Sequence, residues 1–515
     1  MYLTQSLHRS LQQNLDRPAT ICRDRVRTVA ESADRIARLA GALSALGVQR
    51  GDRVGMLALN SDRYHEYFYA CAWIGAAVNP VNIRWSPAEI AYSLRESDTR
   101  VLFVDDAFAS VISALREQFP GLATVIYSGE GEPTTNTLDY ETLIAEHTPE
   151  GDIRAGGDEL AGVFYTGGTT GHPKGVMLSH NNLLASALGG LATGHFLSHG
   201  GRLMHAAPMF HLAAIGSWVS GCLVGSTHVI VPMFTPAAVM AAISEHEVTD
   251  TLLVPTMIQM LVDDPNVGDS DLSSLVKLMY GASPISETLL ERARKAFPSA
   301  GFIQGYGMTE MSPVVALLTP EDHDDPLLRR AAGRPAPNVE VRIVDPDDNE
   351  VPRGEVGEVV ARGDNVMLGY WNRPQDTAAA VRDGWMHTGD GGWMDRNGYI
   401  FIVDRIKDMI ITGGENVYSA EVENALAGHP AVAACAVIGV PDSGWGECVH
   451  AVVVLLPGQQ ATADEIRTHC KTLIAGYKAP RSVDFVDALP MSGAGKILKR
   501  ELRKQYWDVS GTQVS

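Results

Sequence analysis

Short apolar segments alternate with helix-like patterns along the first two thirds of the chain, and this alternation restricts the fold more than any other feature. The clearest helix follows Thr28 and Glu31, which have capping-box spacing ahead of apolar residues at helical intervals. The strand candidates in this region are residues 54–59, 76–78, 101–104, 123–127, 161–165, 228–231, 252–254 and 275–280. Because parallel strands need long crossover connections, usually helices, the alternation predicts mainly parallel sheets covered by helices.

The very apolar window at residues 218–234 is interrupted by Ser, Gly, Thr, His and Pro. A membrane-spanning helix needs about 20 consecutive, mainly apolar residues. We therefore interpret this window as core strands and expect no integral membrane segment.

The pattern changes in the last third of the chain. Residues 339–344 and 355–362 alternate between apolar and polar side chains and are separated by turn-forming residues, which predicts a small antiparallel β section. Strand candidates at residues 434–440 and 450–456 and a helical pattern at residues 464–474 then predict a compact α+β unit.

A charged segment, Asp404-Arg405-Ile406-Lys407-Asp408, lies between these two parts and separates two apolar runs. We expect the domain boundary there, with an N-terminal domain at residues 1–404 and a C-terminal domain at residues 405–515. The predicted fold class is α/β: a large multi-subdomain N-terminal domain, with mainly parallel sheets plus a small β section, and a small mobile α+β C-terminal domain.

The charge balance argues against one class of partner. The 515 residues include 41 Lys and Arg against 61 Asp and Glu, a net charge of −20, which disfavours nucleic acid. The first residues, MYLTQSLHRSLQQNLDRP, lack the apolar region of a signal peptide, and the six cysteines have no metal-ligand spacing. We expect a cytoplasmic protein with reduced thiols.

Residues 165–174, YTGGTTGHPK, have the composition of a phosphate-binding loop that leaves a buried strand. Glycines allow close backbone approach with N–H groups turned inward, hydroxyls add donors, and Lys174 adds positive charge. The segment is neither a Walker A sequence nor a dinucleotide fingerprint. A mobile surface loop would have a similar composition, so the interpretation depends on the other motifs.

Residues 304–310, QGYGMTE, contain a tyrosine between two glycines. Tyr306 could present its ring face to a flat base. Thr309 offers a hydroxyl for a phosphate, and Glu310 offers a carboxylate for Mg²⁺. The alternative is a turn that holds a core tyrosine.

Four further positions complete a candidate site. In WMHTGD, Asp390 is a carboxylate on a tight turn that could accept from both hydroxyls of a ribose. Arg405 could reach a ribose or phosphate, and Lys407 is placed to act as a hinge. Lys496 ends a loop near the C-terminus and could neutralise charge between a carboxylate and a phosphate. A plain turn, a solvated charge run and a solvent-facing lysine are the ordinary alternatives.

Taken in order, YTGGTTGHPKGVMLSH, GYGMTE, GEVGEVVARG, HTGD, DRIKDMIITGGENV and SGAGKILKR resemble the adenylate-forming superfamily over roughly residues 10–505. That family contains acyl- and aryl-CoA synthetases, peptide-synthetase adenylation domains and beetle luciferases. One departure is Gly167, where the family more often has serine. The resemblance implies that a carboxylate attacks the α-phosphate of Mg·ATP to give an acyl-adenylate and pyrophosphate. Coenzyme A then gives a thioester and AMP.

The resemblance also implies a role for each motif. The residues that would bind ATP or AMP are Thr166, Gly167, Gly168, Thr169, Thr170, Gly171, Lys174, Gly281, Ala282, Ser283, Gln304, Gly305, Tyr306, Gly307, Asp390 and Arg405. The catalytic residues would be Lys496, Thr309 and Glu310, and the Mg²⁺ ligands would be Glu310 and Thr169. The C-terminal domain would rotate about Lys407, so that Lys496 leaves and Gly413 and Gly414 enter to line a channel for the pantetheine of coenzyme A.

By the same resemblance, the acyl pocket would be lined by His211, Ala213, Ala214 and Met308 and their neighbours. These segments are small and apolar and carry no Arg or Lys, so a second carboxylate on the substrate would lack a partner. Small residues leave room for length, which favours a medium- or long-chain fatty acid. An aryl or arylpropenoic acid is the alternative.

Other classes remain open at this stage. A carrier-protein-loading adenylation protein and a luciferase-like oxygenase would share the same motifs, and a non-catalytic binding protein could keep the fold. The expected partners are a small-molecule carboxylic acid and coenzyme A. A homodimer is compatible with the sequence, which identifies no interface.

Overall fold

The computed structural model describes residues 1–166, 173–412, 415–442, 444–492 and 496–507, with residue 407 described by its backbone only. The α-helices are α1 Gln5–Gln13, α2 Val29–Ala45, α3 Asp62–Trp73, α4 Pro87–Glu96, α5 Ile112–Gln118, α6 Tyr140–Glu146, α7 His180–Ala192, α8 Leu212–Val224, α9 Pro236–His246, α10 Pro255–Asp263, α11 Glu287–Ala296, α12 Pro374–Ala380, α13 Ser419–Ala427, α14 Ala463–Leu473 and α15 Lys499–Trp507.

The strands are β1 Pro18–Cys22, β2 Arg25–Thr28, β3 Arg53–Leu57, β4 Ala77–Pro80, β5 Val101–Val104, β6 Thr124–Tyr127, β7 Leu138–Asp139, β8 Leu160–Thr166, β9 Lys174–Ser179, β10 Arg202–His205, β11 Thr227–Ile230, β12 Asp250–Leu253, β13 Lys277–Gly281, β14 Gly301–Gly307, β15 Val314–Leu318, β16 Arg334–Pro335, β17 Glu340–Val344, β18 Gly357–Arg362, β19 Gly369–Tyr370, β20 Val381–Arg382, β21 Trp385–Met394, β22 Ile400–Arg405, β23 Ile410–Thr412, β24 Glu415–Val417, β25 Val432–Asp442, β26 Gly446–Leu455 and β27 Ser482–Phe485.

Two large sheets are mainly parallel, as the sequence predicts. One has the strand order β16-β15-β14-β13-β12-β10-β11-β1-β2, and the other has the order β19-β9-β8-β4-β3-β5-β6-β7. Neighbouring strands such as β12, β13 and β14 run parallel, whereas β15 and β16 at the edge run antiparallel. Since parallel strands expose their carboxyl ends at one edge, residues that follow β13 and β14 lie side by side there.

The third sheet is the small antiparallel section expected from the sequence. It has the order β17-β18-β21-β20, and β22 pairs with β21. Its last strand ends at Arg405, and after a short 3₁₀ turn at Ile406–Asp408 the chain begins a fourth sheet, β24-β23-β26-β25, to which β27 is added. Residues on both sides of Arg405 therefore belong to different sheets.

The local predictions have mixed outcomes. The capping box is confirmed, because the Thr28 hydroxyl accepts from the backbone N–H of Glu31 and the Glu31 carboxylate accepts from that of Thr28. The interpretation of residues 218–234 as core strands is wrong for their first part, since Trp218 lies in α8 and only β11 is a strand. Nearly every residue of α8 is buried, so the helix has no polar face to mark its period. None of the described helices is long and apolar enough to span a membrane.

A buried ion pair connects two helices of the N-terminal part. Glu66 of α3 is 1% exposed, and it accepts from Arg35 Nε of α2 at 2.6 Å and from the Tyr140 hydroxyl at 2.6 Å. A buried carboxylate with these donors fixes the packing of the two helices, because its charge would be poorly solvated without them.

We expect Glu66→Ala to lower the free energy of unfolding by about 1–3 kcal/mol, because the buried Tyr140 hydroxyl loses its acceptor and Arg35 keeps only its ion pair with the partly exposed Glu141. Urea unfolding followed by tryptophan fluorescence would measure the change. Asp34→Ala is a matched control, since Asp34 pairs with Arg38 of the same helix at 2.7 Å but is half exposed. Equal effects of the two substitutions would contradict the prediction.

Candidate active site

Asp390 lies at the centre of the candidate site, inside β21. The sequence predicts a tight turn there, and this prediction is wrong, because the strand continues through Gly389 and Asp390. Gly389 has a φ of +70°, which only glycine adopts easily, so the glycine that signals a turn is accommodated within the strand instead. Asp390 is opposite Arg405 of β22 in the sheet register.

The Asp390 carboxylate joins two other predicted residues. Its Oδ2 accepts from the Tyr306 hydroxyl at 2.7 Å, and its Oδ1 lies 3.1 Å from Arg405 Nε. Burial raises the pKa of Tyr306, and the charge of Asp390 raises it further, so the hydroxyl stays protonated and donates. Residues from three separate motifs are therefore joined by one hydrogen bond and one ion pair.

Close backbone approach defines the wall next to Tyr306. Gly281 and Gly305 are register partners on β13 and β14, and a Cβ on Gly281 would lie 2.2 Å from the Gly305 carbonyl oxygen. The strands can pack this way only with glycine at position 281. Ala282 follows with a φ of +66°, a strained conformation for a non-glycine residue that turns the chain toward Ser283. The result is a wall of backbone at the strand ends.

Gln304 and Gly307 contribute differently to this region. The Gln304 Oε1 accepts from the Tyr280 hydroxyl at 3.2 Å, and that hydroxyl also lies 2.8 Å from His323 Nε2. Gln304 is thus fixed from the side of the core. A Cβ on Gly307 would lie 1.8 Å from the Pro313 carbonyl oxygen, so this glycine is required by the packing of the following turn.

Glu310 and Lys174 approach each other through a tyrosine that the sequence analysis missed. Glu310 is 7% exposed, and its Oε1 accepts from the Tyr370 hydroxyl at 2.8 Å. Lys174 Nζ lies 5.0 Å from the centroid of the Tyr370 ring and 3.2 Å from Asp376 Oδ2. No spacing in the sequence relates Tyr370 to Glu310, because the two meet only when β19 pairs with β9.

Several predicted residues lie outside the described part of the chain. They are Gly167, Gly168, Thr169, Thr170, Gly171, Gly413 and Gly414, together with the side chain of Lys407. The described residues next to them are held by strand pairing. Thr166 at the end of β8 is the register partner of Lys174, and β23 pairs with β24. Thr309 lies beside Glu310 in a 3₁₀ turn at Thr309–Met311.

Lys496, in the C-terminal part of the chain, shares an electrostatic environment with Asp390, Arg405 and Glu310. Burial lowers the pKa of Lys496, the charge of Arg405 lowers it further, and the carboxylates of Asp390 and Glu310 oppose both effects. Its backbone N–H donates to Ser492 Oγ at 3.0 Å, which holds the end of the loop. The structure therefore brings Lys496, Asp390, Arg405 and Glu310 into one electrostatic environment.

The predicted acyl-pocket residues lie at the start of α8 and before the Thr309 turn. His211 is the N-cap residue of α8, Ala213 and Ala214 are in its first turn, and Met308 packs against the main core. A Cβ on Gly216 would lie 2.8 Å from Pro313 Cδ, so α8 directly contacts the turn after Glu310 at that point.

A second cluster, His65, Cys222 and His228, is buried with its ligand-type atoms within 4.8 Å of one another. Burial lowers the pKa of His65 to about 4, so the ring is neutral at neutral pH. Trp218 Nε1 donates to His65 Nδ1 at 3.0 Å, which leaves the single ring proton on Nε2. A protonated Nε2 cannot bind a metal, so the cluster in this arrangement is a group of neutral core side chains, in which Cys222 and His228 are hydrogen-bonded to each other.

Comparison with known proteins agrees with this geometry. The family model for the AMP-binding enzyme matches residues 7–371, and that for the AMP-binding enzyme C-terminal domain matches residues 421–496. A feruloyl-CoA synthase of an Amycolatopsis species is 42% identical over 480 residues, 93% of this chain and 94% of the relative. A long-chain-fatty-acid–CoA ligase of Mycobacterium tuberculosis, FadD13, is 36% identical over 473 residues, 91% of each chain. The anthranilate CoA ligase AuaEII in complex with anthranoyl-AMP has a TM-score of 0.92 and 27% identity, over 99% of this chain and 98% of that one.

The chain belongs to the AMP-binding enzyme family, that is, to the acyl-CoA synthetase branch of the adenylate-forming superfamily. The predicted family and fold class are therefore confirmed. The protein is an AMP-forming acid–thiol ligase, which uses ATP with Mg²⁺, a small-molecule carboxylic acid and coenzyme A.

We expect Tyr306→Phe to raise the KM for ATP by about five- to tenfold, because it keeps the ring but removes the hydrogen bond that orients the Asp390 carboxylate. Steady-state kinetics at varied ATP would measure the change. Tyr64→Phe removes a buried hydroxyl elsewhere in the core and should leave this KM unchanged. An unaltered KM in Tyr306→Phe would mean that the hydroxyl does not support the nucleotide site.

Proposed function

We propose that residues 1–404 form an AMP-binding domain with the acyl pocket, that residues 405–515 form a lid domain, and that the two share one active site. The observation that carries this proposal is that Lys496 is buried within the electrostatic reach of Asp390, Arg405 and Glu310. A lysine from one part of the chain offsets the repulsion between two anions, a carboxylate and a phosphate, and the carboxylates from the other part suit a ribose and a Mg²⁺ ion.

The nucleotide would bind along the carboxyl ends of β13 and β14. The backbone wall at Gly281, Ala282 and Ser283 and the ring of Tyr306 would enclose the adenine, with Gln304, Gly305 and Gly307 shaping the strand end. The Asp390 carboxylate would accept from the ribose hydroxyls, and Arg405, which is 44% exposed, would remain able to reach the ribose or α-phosphate. The phosphates would lie toward Thr166 and Lys174, where the loop 167–171 would cover them.

Glu310 fits the role of a Mg²⁺ ligand. Its Oε1 is oriented by Tyr370, and a single oriented carboxylate together with substrate phosphates is how proteins usually hold this ion. Mg²⁺ bound there would offset the negative charge of the phosphates. Thr309 would donate to the α-phosphate, and Thr169 would be a second ligand to the ion.

Lys496 would hold the acid carboxylate against the α-phosphate in the first step. The domain junction supports a later rotation about Lys407, because Asp404 accepts from the backbone N–H of Arg405 at 2.8 Å and of Ser419 at 2.6 Å and so ties both sides of the hinge. After rotation Lys496 would be withdrawn, and Gly413 and Gly414 would line the path of the pantetheine.

The preferred acid, in this proposal, is an aryl or arylpropenoic acid rather than the fatty acid favoured by the sequence alone. Two observations support this choice. The feruloyl-CoA synthase relative is more similar than the fatty-acid ligase relative. The direct contact between Gly216 and Pro313 also closes one direction in which a long acyl chain could extend from His211, Ala213, Ala214 and Met308. A medium- or long-chain fatty acid is the second candidate, because a fatty-acid ligase is also among the relatives.

ATP–pyrophosphate exchange with a panel of acids tests the proposed substrate class. Ferulate, coumarate, cinnamate and benzoate would be compared with C8 to C16 fatty acids, and each active acid would be repeated with coenzyme A while free thiol is followed. We expect kcat/KM for a hydroxycinnamate to exceed that for the fatty acids by about tenfold or more. The reverse order would favour the fatty-acid candidate, and exchange without thiol loss would point to a carrier protein as acceptor.

We expect Lys496→Ala to slow acyl-adenylate formation by about 100- to 1,000-fold, because it removes the charge between the two reacting anions. Thioester formation from preformed acyl-adenylate should be largely preserved, since Lys496 would have left the site by then. Lys471→Ala, which removes an exposed lysine of α14, should affect neither step. Equal losses in both half-reactions of Lys496→Ala would contradict the assignment.

The pH profile of the wild-type enzyme provides a second test of the role proposed for Lys496. Because the pKa of Lys496 is lowered, the lysine loses its proton at a lower pH than an ordinary lysine does. The rate of adenylate formation should therefore decline as the pH rises through this lowered pKa. The rate of thioester formation from preformed adenylate should not show this decline.

A further inference from the structure

We infer that Arg84 is a positioning residue, which docks the loop carrying Lys496 against the N-terminal part of the chain during adenylate formation. The inference rests on the proposed role of Lys496 and deepens it by naming the contact that holds this lysine in place. Among the described residues, the hydrogen bonds of Arg84 go to Asn82 and Ser492, to neither of which we assign a role in substrate binding.

The contact joins residues that are 408 positions apart in the chain. Arg84 Nη1 donates to the backbone carbonyl oxygen of Ser492 at 2.9 Å. It is separate from the covalent connection at Asp404 and Arg405, where the chain itself keeps the two parts together. A hydrogen bond between the two parts restricts rotation of the C-terminal part, because it adds a point of attachment besides the chain itself.

Ser492 and Lys496 behave as one unit. The Ser492 backbone N–H donates to the Lys496 carbonyl oxygen at 2.6 Å, and the Lys496 backbone N–H donates to Ser492 Oγ at 3.0 Å. Met491 and Ile497 form an antiparallel bridge on either side of them. A donor that fixes the Ser492 carbonyl therefore also fixes the backbone from which the Lys496 side chain projects.

Arg84 is held on the N-terminal side by a defined turn. Its backbone N–H donates to Asn82 Oδ1 at 3.0 Å, and α4 begins shortly afterwards with a capping box at Ser86. The ring of Trp85 lies edge-on to that of Tyr165, with centroids 6.3 Å apart. Tyr165 directly precedes Thr166 at the end of β8, so the same turn contacts both the phosphate side of the site and the lysine loop.

The strength of the contact suits a part that must dock and leave in each catalytic cycle. Arg84 is exposed, so its hydrogen bond competes with water and is weaker than a buried one. A modest preference for the docked state is sufficient to populate it, whereas a strong one would oppose withdrawal of Lys496 before the second step. Loss of Arg84 should consequently reduce the docked population without preventing docking.

Rapid-quench measurement of the two half-reactions with the full-length enzyme tests the inference. We expect Arg84→Ala to slow acyl-adenylate formation by about five- to tenfold with little change in the KM for ATP, because a weak docking contact is lost. Thioester formation from preformed acyl-adenylate should be unchanged or faster. Arg84→Lys, which keeps a donor, should recover part of the first step.

Arg95→Ala is the matched control. Arg95 is an exposed arginine of the neighbouring helix α4, and its Nη1 also donates to a backbone carbonyl oxygen, that of Gln118, at 3.2 Å. Its substitution removes the same charge and the same kind of hydrogen bond without touching the C-terminal part. Both half-reactions should therefore proceed at the wild-type rate.

A double substitution separates positioning from general destabilisation. If Arg84 acts through Lys496, then adding Arg84→Ala to Lys496→Ala should cause no further loss of adenylate formation. Three outcomes would overturn the inference alone. They are a multiplicative further loss in the double variant, equal losses in both half-reactions of Arg84→Ala, and a normal rate of adenylate formation in Arg84→Ala when Lys496→Ala is strongly impaired. Normal adenylate formation by Lys496→Ala would instead overturn the proposed function, and this inference with it.

Discussion

The buried carboxylate of Asp390 is the constraint on which the arrangement of the site depends. A carboxylate that is 11% exposed must be compensated by donors, and it has two, the Tyr306 hydroxyl and the Arg405 guanidinium. Tyr306 belongs to the nine-stranded sheet, whereas Asp390 and Arg405 belong to the small antiparallel sheet. Satisfying one charge therefore fixes the edge of one sheet against the other and orients the strand from which the C-terminal part of the chain departs.

The two donors are not equivalent, and the difference bears on movement. Tyr306 is partly buried and packs against two clusters of the core, which hold its hydroxyl toward Asp390. Arg405 is 44% exposed, so its ion pair contributes little free energy. The chain beyond Arg405 could therefore change its direction without leaving Asp390 unpartnered. If the C-terminal domain rotates as proposed, a strongly held residue at its start would oppose the rotation. A carboxylate with the arginine as its sole partner would be left buried and charged once the arginine moved away.

The sequence predicts the elements better than it predicts their contacts. Strand Val101–Val104 has the bounds expected from its apolar run, and helix Ala463–Leu473 is shifted by one residue from the helical pattern at residues 464–474. The helix at Trp218 was missed because burial on all sides removes the period, and Asp390 was assigned to a turn because Gly389 carries the same signal in a strand. Tyr370 could not be found at all, since its contact with Glu310 arises from sheet pairing between distant segments.

The difference between predicting elements and predicting contacts also explains why the substrate acid is harder to infer than the reaction. A small residue in a predicted pocket can leave space either for a substrate or for a neighbouring part of the protein, and the sequence looks identical in the two cases. At Gly216 the space is taken by the ring of Pro313, since even a methyl group would lie 2.8 Å from Cδ. Counting small residues would therefore overestimate the depth of the proposed acyl pocket. Because the space at Gly216 is occupied, less room remains beyond Ala213. A rigid flat acid requires less of that room than an extended acyl chain does, which is consistent with the proposed preference for an aryl acid.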